Sequence, residues 1–122
     1  MSINVLYAED NELAREITLS LLDDSKINLT IACDGLEALE LFINSEKNDF
    51  DVILMDLVMP NMNGFESAAK IRNSNHPNAK QIPIIALTAN DDCIDDANLF
   101  NKILSKPIEK KVLFNVLNEI KK

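Results

Sequence analysis

The chain has 122 residues, with a formal net charge of -8 from 20 acidic and 12 basic side chains. Its 47% hydrophobic and 26% charged fractions exclude intrinsic disorder, and its length suits one compact domain, residues 1–122, that folds without disulfides or structural metal. The acidic balance, which no Lys/Arg cluster offsets, excludes direct binding of a nucleic-acid duplex or an anionic membrane.

Met1-Ser2-Ile3-Asn4 carries no basic segment leading into an apolar one, and no apolar run approaches membrane-spanning length, so the chain reads as cytoplasmic. Ile3 and Val5 to Ala8 predict a first strand that stops at Glu9-Asp10. Leu13, Ile17 and Leu21, with Ala14, Thr18 and Leu22 beside them, predict a helix capped by Asp10 or Asn11. Leu29 to Ala32 forms a second strand, and Gly35 precedes a second helix with Leu39, Phe42 and Ile43 on its face. Asp51 to Met55 is a nearly unbroken apolar run ending in Asp56, the pattern of a strand buried on both faces. Pro60 and Gly64 punctuate the next loop, with Gly64 assigned to turn geometry.

Phe65, Ala68, Ala69 and Ile71 predict a third helix, and Ile82 to Leu87 a fourth strand ending in Thr88. Asp91 to Asn101 is Asp/Asn-rich, with Ile94, Ala97, Leu99 and Phe100 as the apolar face of a fourth helix. Ile103-Leu104-Ser105 is a short fifth strand ending in Lys106-Pro107, and Val112, Leu113, Val116, Leu117 and Ile120 line a last helix. Cys33 and Cys93 are too few and too far apart for a disulfide framework or a zinc site, and read as buried or half-buried thiols. Five strand–helix units predict an α/β fold: a single doubly wound five-stranded parallel sheet with five helices.

In such a sheet ligands bind outside the carboxyl ends of the strands. Four strands end in polar residues: Glu9-Asp10, Asp56, Thr88 and Lys106. Clustered carboxylates raise one another's pKa unless a cation intervenes. One Mg²⁺ and the Lys106 ammonium would balance the three acids, and Mg²⁺ prefers hard oxygen ligands with phosphate oxygens among them. The nucleophile of such a site is a carboxylate, with Asp56 the candidate, because the only histidine, His76, falls in a loop beside Pro77 and reads as solvated. Met55, Met59 and Met62 suit packing, and Glu37 and Glu40 a solvated face.

Glu9-Asp10, the Met55-to-Gly64 stretch around Asp56, Ala86-Leu87-Thr88-Ala89 and Lys106-Pro107 occur in the order of a response-regulator receiver domain, which the chain resembles over essentially its whole length. The D-x-x-M-P-x-M-x-G stretch is the specific part of the likeness. The resemblance implies a flavodoxin-like fold of receiver type and a signalling switch rather than an enzyme with a separate substrate. It implies Asp56 as phosphoacceptor, Thr88 and Lys106 on phosphoryl oxygens, and a cis Lys106-Pro107 bond. Its Mg²⁺ would be held by Asp10, Asp56, the Val58 backbone carbonyl and Glu9, the last directly or through water. The partner implied is a histidine kinase or histidine phosphotransfer protein, with the switch surface on helix 4, strand 5 and helix 5. The chain would be a monomer or a weak phosphorylation-dependent dimer.

Ile103 stands where the family usually has a switch aromatic, and Leu99-Phe100 replaces the usual glycine, which makes that apolar pair a candidate partner contact. Three other functions compete. A Mg²⁺-dependent aspartyl-nucleophile phosphatase of haloacid-dehalogenase type needs an acid two residues after its nucleophile, where Val58 stands. A flavodoxin-like electron carrier needs a Ser/Thr/Gly-rich phosphate loop after strand 1, where Glu9 to Glu12 would repel a phosphate. A receiver-like binding module without phosphorylation has no sequence feature in its favour.

Overall fold

The computed structural model describes residues 2–24, 26–89, 95 and 98–120. Along the chain these form β1 (Ile3–Ala8), α1 (Glu12–Leu21), β2 (Ile27–Ala32), α2 (Gly35–Ile43), β3 (Val52–Asp56), α3 (Gly64–Arg72), β4 (Ile84–Thr88), β5 (Lys102–Ser105) and α4 (Lys110–Ile120). All five strands run parallel in the order β2-β1-β3-β4-β5. Four helices are formed by the described residues, against five predicted. Most of the predicted fourth helix, residues 91–94, 96 and 97, lies outside them. None of the helices among the described residues is long and apolar enough to cross a membrane.

Strand alternation divides the interior into two layers. Leu6, Ala8, Ile53, Met55, Ile84 and Ala86 meet Ala38 and Phe42 of α2 and Ala68 and Ile71 of α3 on one face. Val5, Tyr7, Leu54, Ile85, Leu87 and Leu104 meet Leu22, at the end of α1, and Leu113, Val116 and Leu117 of α4 on the other. Every residue of β3 and β4 is buried, as expected for central parallel strands. Asn11, Asp34 and Asn63 cap α1, α2 and α3, each accepting a hydrogen bond from a backbone N–H three residues on.

Several sequence expectations change on folding. Leu13 and Ile17 are 66% and 56% exposed, because α1 turns the stripe of Thr18 and Leu22 inward and their stripe, about 100° round the helix, outward. Cys33 is an exposed thiol, lying past the end of β2 in the turn before α2. His76 is half-buried rather than solvated: its ring lies on Phe42 with centroids 4.2 Å apart, and its Nε2 is 3.1 Å from both the Ser45 hydroxyl and carbonyl oxygens. Glu37 does more than face solvent, since its carboxylate accepts from the Cys33 backbone N–H at 3.0 Å. Phe100 is buried edge-on to Phe65, and Leu99 packs against the same layer, so this pair belongs to the core and not to a partner surface.

Gly64 opens α3 with an ordinary negative φ, so the turn geometry expected of it is not the reason for a glycine there. A Cβ at this position would run into the Asp56 carbonyl oxygen and lie 2.9 Å from the Leu57 Cα. The missing side chain lets α3 start directly against the end of β3, where the Gly64 N–H donates to the Leu57 carbonyl at 3.0 Å. Gly64→Ala is expected to cost about 1–3 kcal/mol in chemical denaturation, as backbone overpacking does. An unchanged midpoint would show that the β3–α3 junction yields freely.

Candidate functional site

Parallel register carries four strand ends to one edge of the sheet. Ala8 is level with Met55, Met55 with Ala86, and Ala86 with Ile103. One step further come Glu9 and Asp56, and beyond them Thr88, level with Ser105, then Lys106. The sheet order reverses between β1 and β3, so Glu9-Asp10 and Asp56 flank the switch point where α/β sheets bind ligands. Glu9, Asp56 and Lys106 have the alternation of the α1/α4 face, and Thr88 that of the opposite face.

Glu9 and Asp56 are 1% and 6% exposed, and Thr88 is buried with them. Lys106 joins the two acids: its Nζ donates to Glu9 Oε1 at 2.9 Å and to Asp56 Oδ1 at 3.4 Å. The other Glu9 oxygen, Oε2, accepts from the Asn11 backbone N–H at 3.3 Å. Asp10 is exposed at the mouth. Glu9, Asp10 and Asp56 each offer a carboxylate oxygen, and these oxygens lie within 4.8 Å of one another. Val58 follows with its side chain 81% exposed, and no hydrogen bond among the described residues uses its backbone carbonyl. The Lys106 backbone N–H donates to the Thr88 carbonyl at 2.7 Å, and Lys106-Pro107 is cis.

Two residues of this site carry no obvious mark in the sequence. Arg15, on the first turns of α1, donates through Nη1 to the Glu9 and Asp10 carbonyls at 2.9 and 3.1 Å, and so holds the turn that presents both acids. Tyr7 places a buried hydroxyl beneath Glu9; the strand alternation of residues 5, 7 and 9 is the signal that finds it.

The electrostatics follow from burial of like charges. Asp56 is pushed up from 3.8 to about 7, first by desolvation and then by Glu9, with Lys106 only partly offsetting. Burial works against ionised Glu9 as well, yet hydrogen bonds to Asp56 and Lys106 and the lysine's charge lower its pKa overall. Burial likewise opposes the Lys106 ammonium, and the two acids more than compensate, raising its pKa. Lys106 stands nearer to Glu9, so the pair keeps its proton on Asp56. A divalent cation fits this donor set of hard oxygens and excess negative charge.

Between about pH 4 and pH 7 folded Asp56 holds a proton that the unfolded chain has released, so rising pH lowers stability across that window. In EDTA, Asp56→Asn is expected to gain stability over the wild type as pH rises from about 5 to about 8, by on the order of 2 kcal/mol. Denaturation midpoints that stay parallel across this range would contradict the raised carboxyl.

The family profile for the response regulator receiver domain matches residues 5–118. The chain is 35% identical over 120 residues to hybrid signal transduction histidine kinase I of Dictyostelium discoideum, covering 93% of this chain and 7% of that protein. It is 34% identical over 115 residues to the CAI-1 autoinducer sensor kinase/phosphatase CqsS of Vibrio cholerae, covering 91% of this chain and 16% of that one. The chain thus spans a small part of the curated relatives it matches. Among solved structures, the receiver domain of a sensor histidine kinase from Pseudomonas aeruginosa superimposes with a TM-score of 0.85 at 28% identity over 100% of both chains, and that protein holds a magnesium ion in its active-site cleft. A parallel sheet of order 2-1-3-4-5 with an acidic cluster at its switch point thus agrees with the sequence matches: the chain belongs to the response regulator receiver domain family, the phosphorelay switches of two-component signalling.

Proposed function

We propose that residues 1–122 form one receiver domain that accepts a phosphoryl group on Asp56 in a Mg²⁺-dependent reaction. The observation that carries this reading is the bridge from Lys106 to both Glu9 and Asp56, with Asp10 at the mouth. The donor is a phosphohistidine of a histidine kinase or phosphotransfer protein, the partner class suggested by the sensor and hybrid kinases among the relatives. The switch catalyses only its own phosphorylation and dephosphorylation.

Ionised Asp56 attacks phosphorus through a carboxylate oxygen. The new O–P bond forms as the donor's N–P bond breaks, and the leaving imidazole nitrogen keeps the electron pair. Asp10, Asp56, the Val58 carbonyl and Glu9 are the residues that would hold Mg²⁺, which when bound supplies charge and hard-oxygen coordination for the phosphoryl oxygens. Lys106, freed from Asp56 once that carboxylate becomes an acyl phosphate, pairs with a phosphoryl oxygen, and the Thr88 hydroxyl bonds another. The phosphoryl group adds charge and acceptors at the ends of β3, β4 and β5, and so biases the neighbouring surface of β5 and α4. The helix-4 part of that surface lies outside the described residues, and half-exposed Ile103 on β5 takes the place of the family's switch aromatic.

Acetyl phosphate with Mg²⁺ is expected to add one phosphoryl mass to the intact protein. EDTA, Asp56→Asn or subsequent hydroxylamine should each remove the gain. No adduct, together with no Mg²⁺ binding by titration, would reduce the protein to a receiver-shaped interaction module.

Val58 presents an apolar, exposed side chain two residues past the acceptor, and we attribute to it slow access of hydrolytic water. Val58→Asn is therefore expected to shorten the phosphoryl lifetime severalfold in a mass-resolved decay. A lifetime that is unchanged or longer would remove this role from Val58.

A further inference from the structure

Among the described residues, one buried side-chain polar atom has no hydrogen-bond partner, the hydroxyl of Tyr7. Tyr7 is completely buried in β1, two residues before Glu9 and on the same face of the sheet. The Thr18 hydroxyl and the Glu9 carboxylate are near enough to act on its ionisation, yet no group meets its oxygen in full hydrogen-bond geometry. Phenylalanine would fill the same volume without leaving a hydroxyl unbonded, so the oxygen calls for an explanation beyond packing.

Hydrogen-bond accounting at Glu9 supplies one. Its Oε1 accepts from Lys106 and its Oε2 from the Asn11 backbone at a longer distance. Glu9 is too deeply buried to recruit bulk water if Lys106 leaves. An Asp56 acyl phosphate has no carboxyl proton to share with it either. The neighbouring donor without a partner is then the Tyr7 phenol. A carboxylate has lone pairs enough to accept this bond and still serve a metal, and ligating carboxylates are ordinarily held by such bonds.

We propose that Tyr7 is a positioning residue that exchanges with Lys106 at Glu9: its hydroxyl stands unbonded while Lys106 holds Glu9, and donates to that carboxylate when Lys106 turns to a phosphoryl group on Asp56. The setting of the exchange rests on the phosphoacceptor reading, but the exchange itself can be provoked without phosphate by removing the lysine's charge.

Tyr7 is the sole tyrosine in a chain without tryptophan, so near-ultraviolet absorption and tyrosine emission report on this phenol alone. Donation to a carboxylate moves the absorption to longer wavelength and quenches the emission. Lys106→Met is expected to produce both changes, and adding Glu9→Ala to reverse them. In parallel, Tyr7→Phe should leave the wild type as stable or more so, yet raise the unfolding constant of Lys106→Met about tenfold, the worth of one hydrogen bond to a charged group. Should Tyr7→Phe weaken both backgrounds equally, Tyr7 holds a fixed structural bond and the exchange is overturned.

Acetyl phosphate with Mg²⁺ on the unsubstituted protein gives a second arm that needs no variant to fold. A phosphoryl adduct by mass accompanied by the same optical change supports the exchange, and an adduct with an unchanged Tyr7 spectrum overturns it. If no adduct forms while Lys106→Met still shifts the Tyr7 spectrum, the exchange stands and the phosphoacceptor reading is what fails.

Discussion

Glu9 and Asp56 are two carboxylates almost sealed from water, and the Lys106 ammonium between them is what makes that arrangement tolerable. Removing the lysine from such a buried set leaves uncompensated charge, which is far more costly than the net worth of the pair. The surrounding structure serves this contact. Register sets the acids one step beyond the level of Ala8 and Met55, and Lys106 arrives from the far edge strand, 97 residues later in the chain than Glu9. Each partner comes from a different strand, so only the assembled sheet brings them within bonding distance.

The backbone around the cluster is held as firmly as the side chains. Arg15 holds the carbonyls of Glu9 and Asp10 from above, and Gly64 lets α3 press against the carbonyl end of β3. Gly35 serves a second close approach, since a Cβ there would meet the Met62 carbonyl oxygen, which accepts from the Gly35 N–H at 3.1 Å. The loop after β3 is thereby packed between the starts of α2 and α3. Rigid support of this kind is what the proposed phosphoacceptor reading would require of its carboxylates. The distribution of charge has a chemical consequence as well. Lys106 stabilises Glu9 most, so metal-free Asp56 keeps a proton, and a cation at the cluster would favour its ionised form.

Much of this was legible in the residues. The apolar run from Val52 to Met55 marks a strand buried on both faces, and β3 is one. Asn11, one of the two caps expected for α1, does cap it. The polar residues that close four strands announce a site at the carboxyl edge of the sheet, because parallel strands all end on that side. Less was legible in the segment from 91 to 101, where few apolar residues fall at regular spacing; within it Phe100 turned out to be core and Leu99 its neighbour. α1 was legible as a helix but not as to orientation, since two neighbouring stripes are both apolar and periodicity alone does not choose between them.

The sequence by itself determined the alternation of strands and helices, a cap for α1, and the identities of the acids, hydroxyl and lysine that end the strands. These depend on local spacing and residue chemistry, which a linear chain displays directly. Tertiary structure decided which stripe of α1 faces the sheet, why position 64 has no side chain, where the His76 ring rests, and how Tyr7 stands under Glu9. Those outcomes depend on distances between segments far apart in the chain, and such distances are set by strand register and layer packing rather than by any local pattern.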